Sequence, residues 1–94
     1  MTPRPDDLLE RLRTDVLVLD GAMGTMLIQA GLPPGACPEL WNAERPDVLK
    51  GIHHAYLEAG CDIVETNTFG GTRLKLKAYG LEARCPELNE KAAR

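Results

Sequence analysis

Asp20 follows directly on the apolar run Val16-Leu17-Val18-Leu19 and opens the stretch Asp20-Gly21-Ala22-Met23-Gly24-Thr25. This order reads as a buried strand ending on a carboxylate, then a glycine-punctuated turn, then a helix. Small residues at such a turn let a ligand approach the main chain, and helix-start N–H groups can hold its carboxylate. Asp20 adds an acceptor for a cationic amine, so a site offering both groups suits an amino acid. Asp-Gly is also a common turn pair. The same carboxylate could therefore anchor an ammonium group or merely cap the chain reversal.

A second polar cluster, Thr66-Asn67-Thr68-Phe69-Gly70-Gly71, follows the short strand expected over Cys61-Asp62-Ile63-Val64-Glu65. Asn67 and Thr68 suit hydrogen bonding to a polar ligand better than proton transfer. Asp20 and Glu65 could pair as acid and base, or Glu65 could sit in an internal hydrogen-bond network. Such a pair needs geometry that the sequence does not supply. Gly21 and Gly24 lack the G-x-G-x-x-G spacing and no Walker lysine follows, which argues against a nucleotide-phosphate loop.

Cys37, Cys61 and Cys85 are odd in number and contain no Cys-x-x-Cys pair. That pattern is neither a disulfide framework nor a local zinc knuckle, and the three read as small buried hydrophobes. His53 and His54 are neighbours on a predicted helix, about 100° apart around its axis, so they cannot both face one metal from that element. Trp41 either lines a pocket mouth or pins its loop to the surface beneath.

The elements that must position these residues follow from the pattern of apolar positions. Asp6 to Arg13 carries acids first, bases last, and Leu8, Leu9 and Leu12 on one side, as a short amphipathic helix does. Val16–Leu19 is apolar at consecutive positions, as in a parallel strand covered on both faces. Thr25–Ala30 reads as a helix stopped by Gly31. Leu32–Arg45, with tandem prolines and Gly35, reads as one long loop.

Pro46 suits the first turn of a helix. Val48, Leu49, Ile52, Ala55, Tyr56 and Ala59 then recur at helical spacing up to Gly60. Thr72 is a helix cap before Leu74, Leu76 and Tyr79, with Gly80 as the stop. Glu87–Arg94 opens another helix. Strands alternating with helices predict a parallel α/β sheet. In such folds ligands sit at the carboxyl ends of the strands, which puts Asp20 and Glu65–Thr68 on one face.

The chain has 94 residues, 27% of them charged and 44% hydrophobic, with net charge −3. That composition is ordinary for one small globular domain. No basic patch interleaved with aromatics argues for nucleic acid. No apolar run reaches membrane-spanning length. The first residues lack a signal-peptide core, so a cytoplasmic location is expected.

Five blocks carry a resemblance. Leu19-Asp-Gly-Ala-Met-Gly-Thr-Met-Leu27, Glu39-Leu-Trp-Asn42, Arg45-Pro-Asp-Val48, Ile52-His-His-Ala-Tyr-Leu-Glu-Ala-Gly60 and Glu65-Thr-Asn-Thr-Phe-Gly-Gly-Thr-Arg-Leu-Lys75 resemble, in this order, the start of the homocysteine-binding domain of cobalamin-dependent methionine synthases. The resemblance runs from about Leu8 to Arg94. It implies the beginning of a (β/α)8 barrel: two parallel strands and their helices, with about residues 1–15 leading into the first strand. It also implies methyl transfer from methylcobalamin, on another module, to a homocysteine thiolate held by zinc. Folate-binding modules are implied as further partners.

By the same resemblance Asp20, Gly21, Ala22 and Met23 become homocysteine-binding candidates, with Asn67 and Thr68 beside them. The family's zinc cysteines match none of Cys37, Cys61 and Cys85, so the metal ligands are expected downstream. A complete barrel takes about 250 residues, so residues 1–94 are expected to be the first portion of such a domain and inactive alone. Two other readings remain: the start of a bifunctional homocysteine methyltransferase/methylenetetrahydrofolate reductase, and a small non-catalytic α/β module that binds an amino acid or a partner.

Overall fold

A computed structural model describes residues 5–94. The reading of Met1–Arg4 as part of a leaderless N-terminus lies outside the described residues, as do the side chains of Pro5 and Asp6. Among the described residues six α-helices follow in order: α1 (Pro5–Leu12), α2 (Gly24–Gln29), α3 (Trp41–Glu44), α4 (Pro46–Glu58), α5 (Arg73–Lys77) and α6 (Cys85–Ala93). Single 3-10 turns at Pro38–Leu40 and Glu82–Arg84 run directly into α3 and α6.

Local chemistry explains most of the helix bounds. Pro46 occupies the first turn of α4, where a missing N–H costs nothing. The Thr72 hydroxyl accepts the Lys75 N–H at 3.2 Å, capping α5. After α2, α4 and α5 the chain reverses through Gly31, Gly60 and Gly80 at φ of +110°, +112° and +71°, a region that disfavours side chains. The long loop expected over Leu32–Arg45 is half helical instead. Pro38 starts a turn with Glu39 beside it, and this opening continues into α3.

That helical wedge joins two apolar cores. Leu27, Leu32, Leu49 and Ile52 form the first, between α2 and α4, with Trp41, Met23 and Tyr56 packed around it. Cys37, Leu76 and Leu88 form the second, between α5 and α6, with Leu40, Ala43, Leu81 and Cys85 around it. Trp41 thus faces one core while its neighbours Leu40 and Ala43 face the other. The Arg45 guanidinium lies 5.3 Å from the centre of the Trp41 ring. Of the two readings of Trp41, the structure supports the residue that pins its segment.

The expected α/β architecture is not what forms. The described residues are predominantly helical and contain no sheet. Where two parallel strands were expected, there is one isolated parallel bridge, Leu19 with Ile63. Its rungs run from Ile63 N–H to the Val18 carbonyl (3.2 Å) and from Asp20 N–H to the Ile63 carbonyl (3.0 Å).

Carboxylates take the adjoining rungs at both ends. A parallel ladder spaces its bonds evenly along both main chains, so the next N–H, that of Glu65, would go to the Asp20 carbonyl. It goes to Asp20 Oδ2 instead, at 3.1 Å. At the other end the Val18 N–H goes to Asp62 Oδ2 at 3.0 Å, and Arg11 of α1 bonds the same carboxylate at 3.1 Å. Cover is missing too. Parallel strands persist when both faces are buried, yet Val16 is 91% exposed and Leu19 53%. Two short segments without a third neighbour do not make a stable sheet.

Candidate functional site

A cavity of about 310 Å³ lies where the two extended segments end. Asp20, Gly21, Met23 and Gly24 line it from one side, Glu65–Phe69 from another, and Pro38 and Glu39 from the 3-10 turn. Of the six residues singled out from sequence, five meet here: Asp20, Gly21, Met23, Asn67 and Thr68. Ala22 does not line the cavity. Its carbonyl accepts the Tyr56 hydroxyl at 2.7 Å, which ties the Asp20–Met23 turn to α4.

The two oxygens of Asp20 differ. Oδ2 accepts the Glu65 N–H, while Oδ1 is buried with no hydrogen-bond partner among the described residues. A buried acceptor left without a donor is destabilising, more so when charged. A ligand donor such as an ammonium group would satisfy it. Asp20 thus does more than cap its own turn: Oδ2 holds the second segment in place, while Oδ1 has no partner among the described residues.

Asn67 is buried, and its amide is committed to the protein. Nδ2 donates to the Pro38 carbonyl (2.8 Å) and to Asn42 Oδ1 (3.0 Å). Asn42 in turn donates to the carbonyls of Asn67 (2.8 Å) and Leu88 (3.2 Å). The Asn67 Nδ2 group thus holds the segment in place, while Asn67 still lines the cavity. Thr68 bonds Thr66 hydroxyl to hydroxyl at 2.8 Å. Asn89 of α6 holds the Gly71 carbonyl at 2.8 Å.

Glu39 escaped the sequence reading. It is only 4% exposed, and its Oε2 accepts the Gly70 N–H at 3.2 Å. Its Oε1 accepts the Cys37 thiol at 3.6 Å. The pair Pro38-Glu39 is itself a helix-start signature, proline in the first turn with an acid beside it. That signal was available inside the segment read as a loop.

All three cysteines are free thiols. Cys37 is in the second core, and burial pushes its thiol above the usual range. Cys61 Sγ lies 3.6 Å from the Leu19 carbonyl, and Cys85 Sγ 3.2 Å from that of Gly71. No group of three His, Cys, Asp or Glu side chains among the described residues is placed to hold a metal. These residues do not fit a three-thiolate zinc centre. His53 and His54 line a separate groove of about 240 Å³ between α4 and α6, with Lys50, Lys91 and Arg94. His54 pairs there with Glu58 at 3.0 Å. Among the described residues, no helix is long and apolar enough to cross a membrane.

The sequence profile described as homocysteine S-methyltransferase matches residues 17–94. A protein of Mycobacterium leprae (strain TN) named methionine synthase is 45% identical over 91 residues, covering 90% of this chain and 8% of its own. The methionine synthase of Mycobacterium tuberculosis (strain ATCC 25618 / H37Rv) is 46% identical over 91 residues, with the same coverage of 90% and 8%. The chain thus spans about 8% of the length of these curated relatives. With the profile matching most of its length, the chain belongs to the homocysteine S-methyltransferase family.

Proposed function

We propose that this chain supplies the amino-acid-receiving wall of a cytoplasmic enzyme that methylates homocysteine to methionine. In this reading the methyl donor is methylcobalamin, recharged from methyltetrahydrofolate, and the cobalamin and folate are carried by other modules. A cavity of about 310 Å³ is on the scale of small-ligand pockets and has no room for a corrin macrocycle. Zinc and its ligands belong outside these residues.

The observation that carries the proposal is the buried, unpartnered Asp20 Oδ1 at the edge of a cavity formed by both extended segments. The substrate ammonium donates to that oxygen. The main chain at Gly21, Met23 and Gly24, which lines the cavity, receives the substrate carboxylate. Thr66 and Thr68 supply hydroxyls along the opposite wall. These residues bind and orient; in the reaction the substrate thiol gives up its proton, its sulfur bonds the methyl carbon, and the bond from that carbon to its donor breaks with the electron pair leaving on the donor. The test is a titration of the zinc-replete full-length protein with L-homocysteine and with 4-mercaptobutyrate, which lacks only the amine. Homocysteine is expected to bind at least about tenfold more tightly, the worth of one charge-assisted hydrogen bond. Equal affinities, or no binding of homocysteine, would overturn the reading.

A further inference from the structure

Glu39 is a buried carboxylate that makes no ion pair among the described residues, although Lys75 lines a pocket with it. Its partners are the Gly70 N–H and the Cys37 thiol. Keeping an ionisable group in that position is expensive, and an apolar side chain of similar size would stabilise the surrounding core more. What the carboxylate provides instead is a bond across space, from the Pro38–Leu40 turn to the far end of the Glu65–Gly71 segment. The fit on the Gly70 side is close: a Cβ there would stand 3.0 Å from Glu39 Oε1. Asn42 and Asn67 tie the middle of the segment, and Asn89 ties its end at Gly71.

We propose that Glu39 is a positioning residue for the amino-acid site: its bond to Gly70 sets where the Thr66–Thr68 wall stands opposite Asp20. This deepens the homocysteine reading and rests on it for the identity of the ligand. Glu39 acts through the main chain of the segment and not by meeting the substrate amine. Its carbonyl geometry therefore matters and its charge does not.

The test uses the full-length protein with Glu39→Ala, Glu39→Gln and Gly70→Ala. Two measurements are made on each: amide hydrogen exchange over residues 66–71 against that over α4, and titration with L-homocysteine. Glu39→Ala is expected to speed exchange at 66–71 by about tenfold, leave α4 unchanged and weaken homocysteine by about tenfold. Glu39→Gln keeps an oxygen for the Gly70 N–H and is expected to stay within about threefold of wild type in both measurements. Gly70→Ala strains the same contact from the other side and should follow Glu39→Ala, which guards against a variant that fails to fold. Unchanged exchange at 66–71 in Glu39→Ala would overturn the proposal, as would faster exchange with unchanged affinity. A Glu39→Gln variant as weak as Glu39→Ala would assign the effect to charge and overturn it too. Failure of wild type to bind homocysteine sinks the ligand reading instead, and the exchange arm still decides whether Glu39 holds the segment.

Discussion

Asp20→Asn distinguishes a turn-forming carboxylate from a ligand-holding one. In the structure Oδ2 accepts the Glu65 N–H at 3.1 Å while Oδ1 is buried without a partner among the described residues. The asparagine carbonyl can take over the Glu65 N–H, so the junction between the two extended segments survives. The remaining atom becomes an NH2 group, which cannot accept from an ammonium and carries no charge to attract it. The variant therefore loses one charge-assisted hydrogen bond in a partly buried site, about 1.5–3 kcal/mol, or roughly 10- to 150-fold in affinity. Isothermal titration of the full-length protein with L-homocysteine measures this directly. Zinc content and circular dichroism serve as controls and should not change. Asparagine serves turns almost as well as aspartate. An unchanged homocysteine affinity in a folded, zinc-replete variant would refute the argument and reduce Asp20 to architecture.

Further outcomes follow from the cores and the ion pairs. Leu88 is fully buried between α5 and α6, so Leu88→Ala should lower stability by about 2–5 kcal/mol in urea denaturation; a loss well under 1 kcal/mol would mean that this core is not formed. The Val18 N–H and then the Arg11 guanidinium hold the Asp62 carboxyl below its usual range. A depressed carboxylate contributes stability that is complete above its unfolded pKa and is lost as pH falls through the folded one. From about pH 5 downward the urea midpoint of wild type should therefore fall more steeply than that of Asp62→Asn; parallel curves would disprove the contact. Cys37, buried and raised in pKa, should react with a thiol reagent more slowly than Cys61 and Cys85 in the native protein and equally fast in urea. Early modification of Cys37 would place it outside the core.

Much of the local structure was legible in the sequence because it depends on neighbours along the chain. Pro46, the apolar spacing through Ala59 and the stop at Gly60 define α4, and the Thr72 cap and Gly80 bound α5 in the same way. The acid-to-base order of Asp6–Arg13 also marks a helix that forms, Pro5–Leu12. The blocks around Asp20 and Glu65–Lys75 carried the family, which the profile match over residues 17–94 bears out. The helical turn at Glu39 was legible as well, but its Pro-Glu signature was submerged in the prolines and glycine around it.

The strands are the opposite case. Consecutive apolar residues at Val16–Leu19 state that a segment is fit for burial, not that anything covers it. Pairing also depends on which acceptor each N–H meets first, and here the Asp20 and Asp62 carboxylates reach the Glu65 and Val18 N–H groups in place of main-chain carbonyls. Asn67 shows the same limit: its composition marks a polar site, yet Pro38 and Asn42, distant in sequence, claim its amide. The sequence by itself determined the family, most of the helices and the residue types gathered at the cavity, because propensity, capping and motif are properties of the chain in order. Only the tertiary structure decided which polar atoms are spent on the protein and which, like Asp20 Oδ1, have no partner among the described residues. Hydrogen-bond partners are assigned by distance in space, and each donor or acceptor that one contact consumes is no longer open to another.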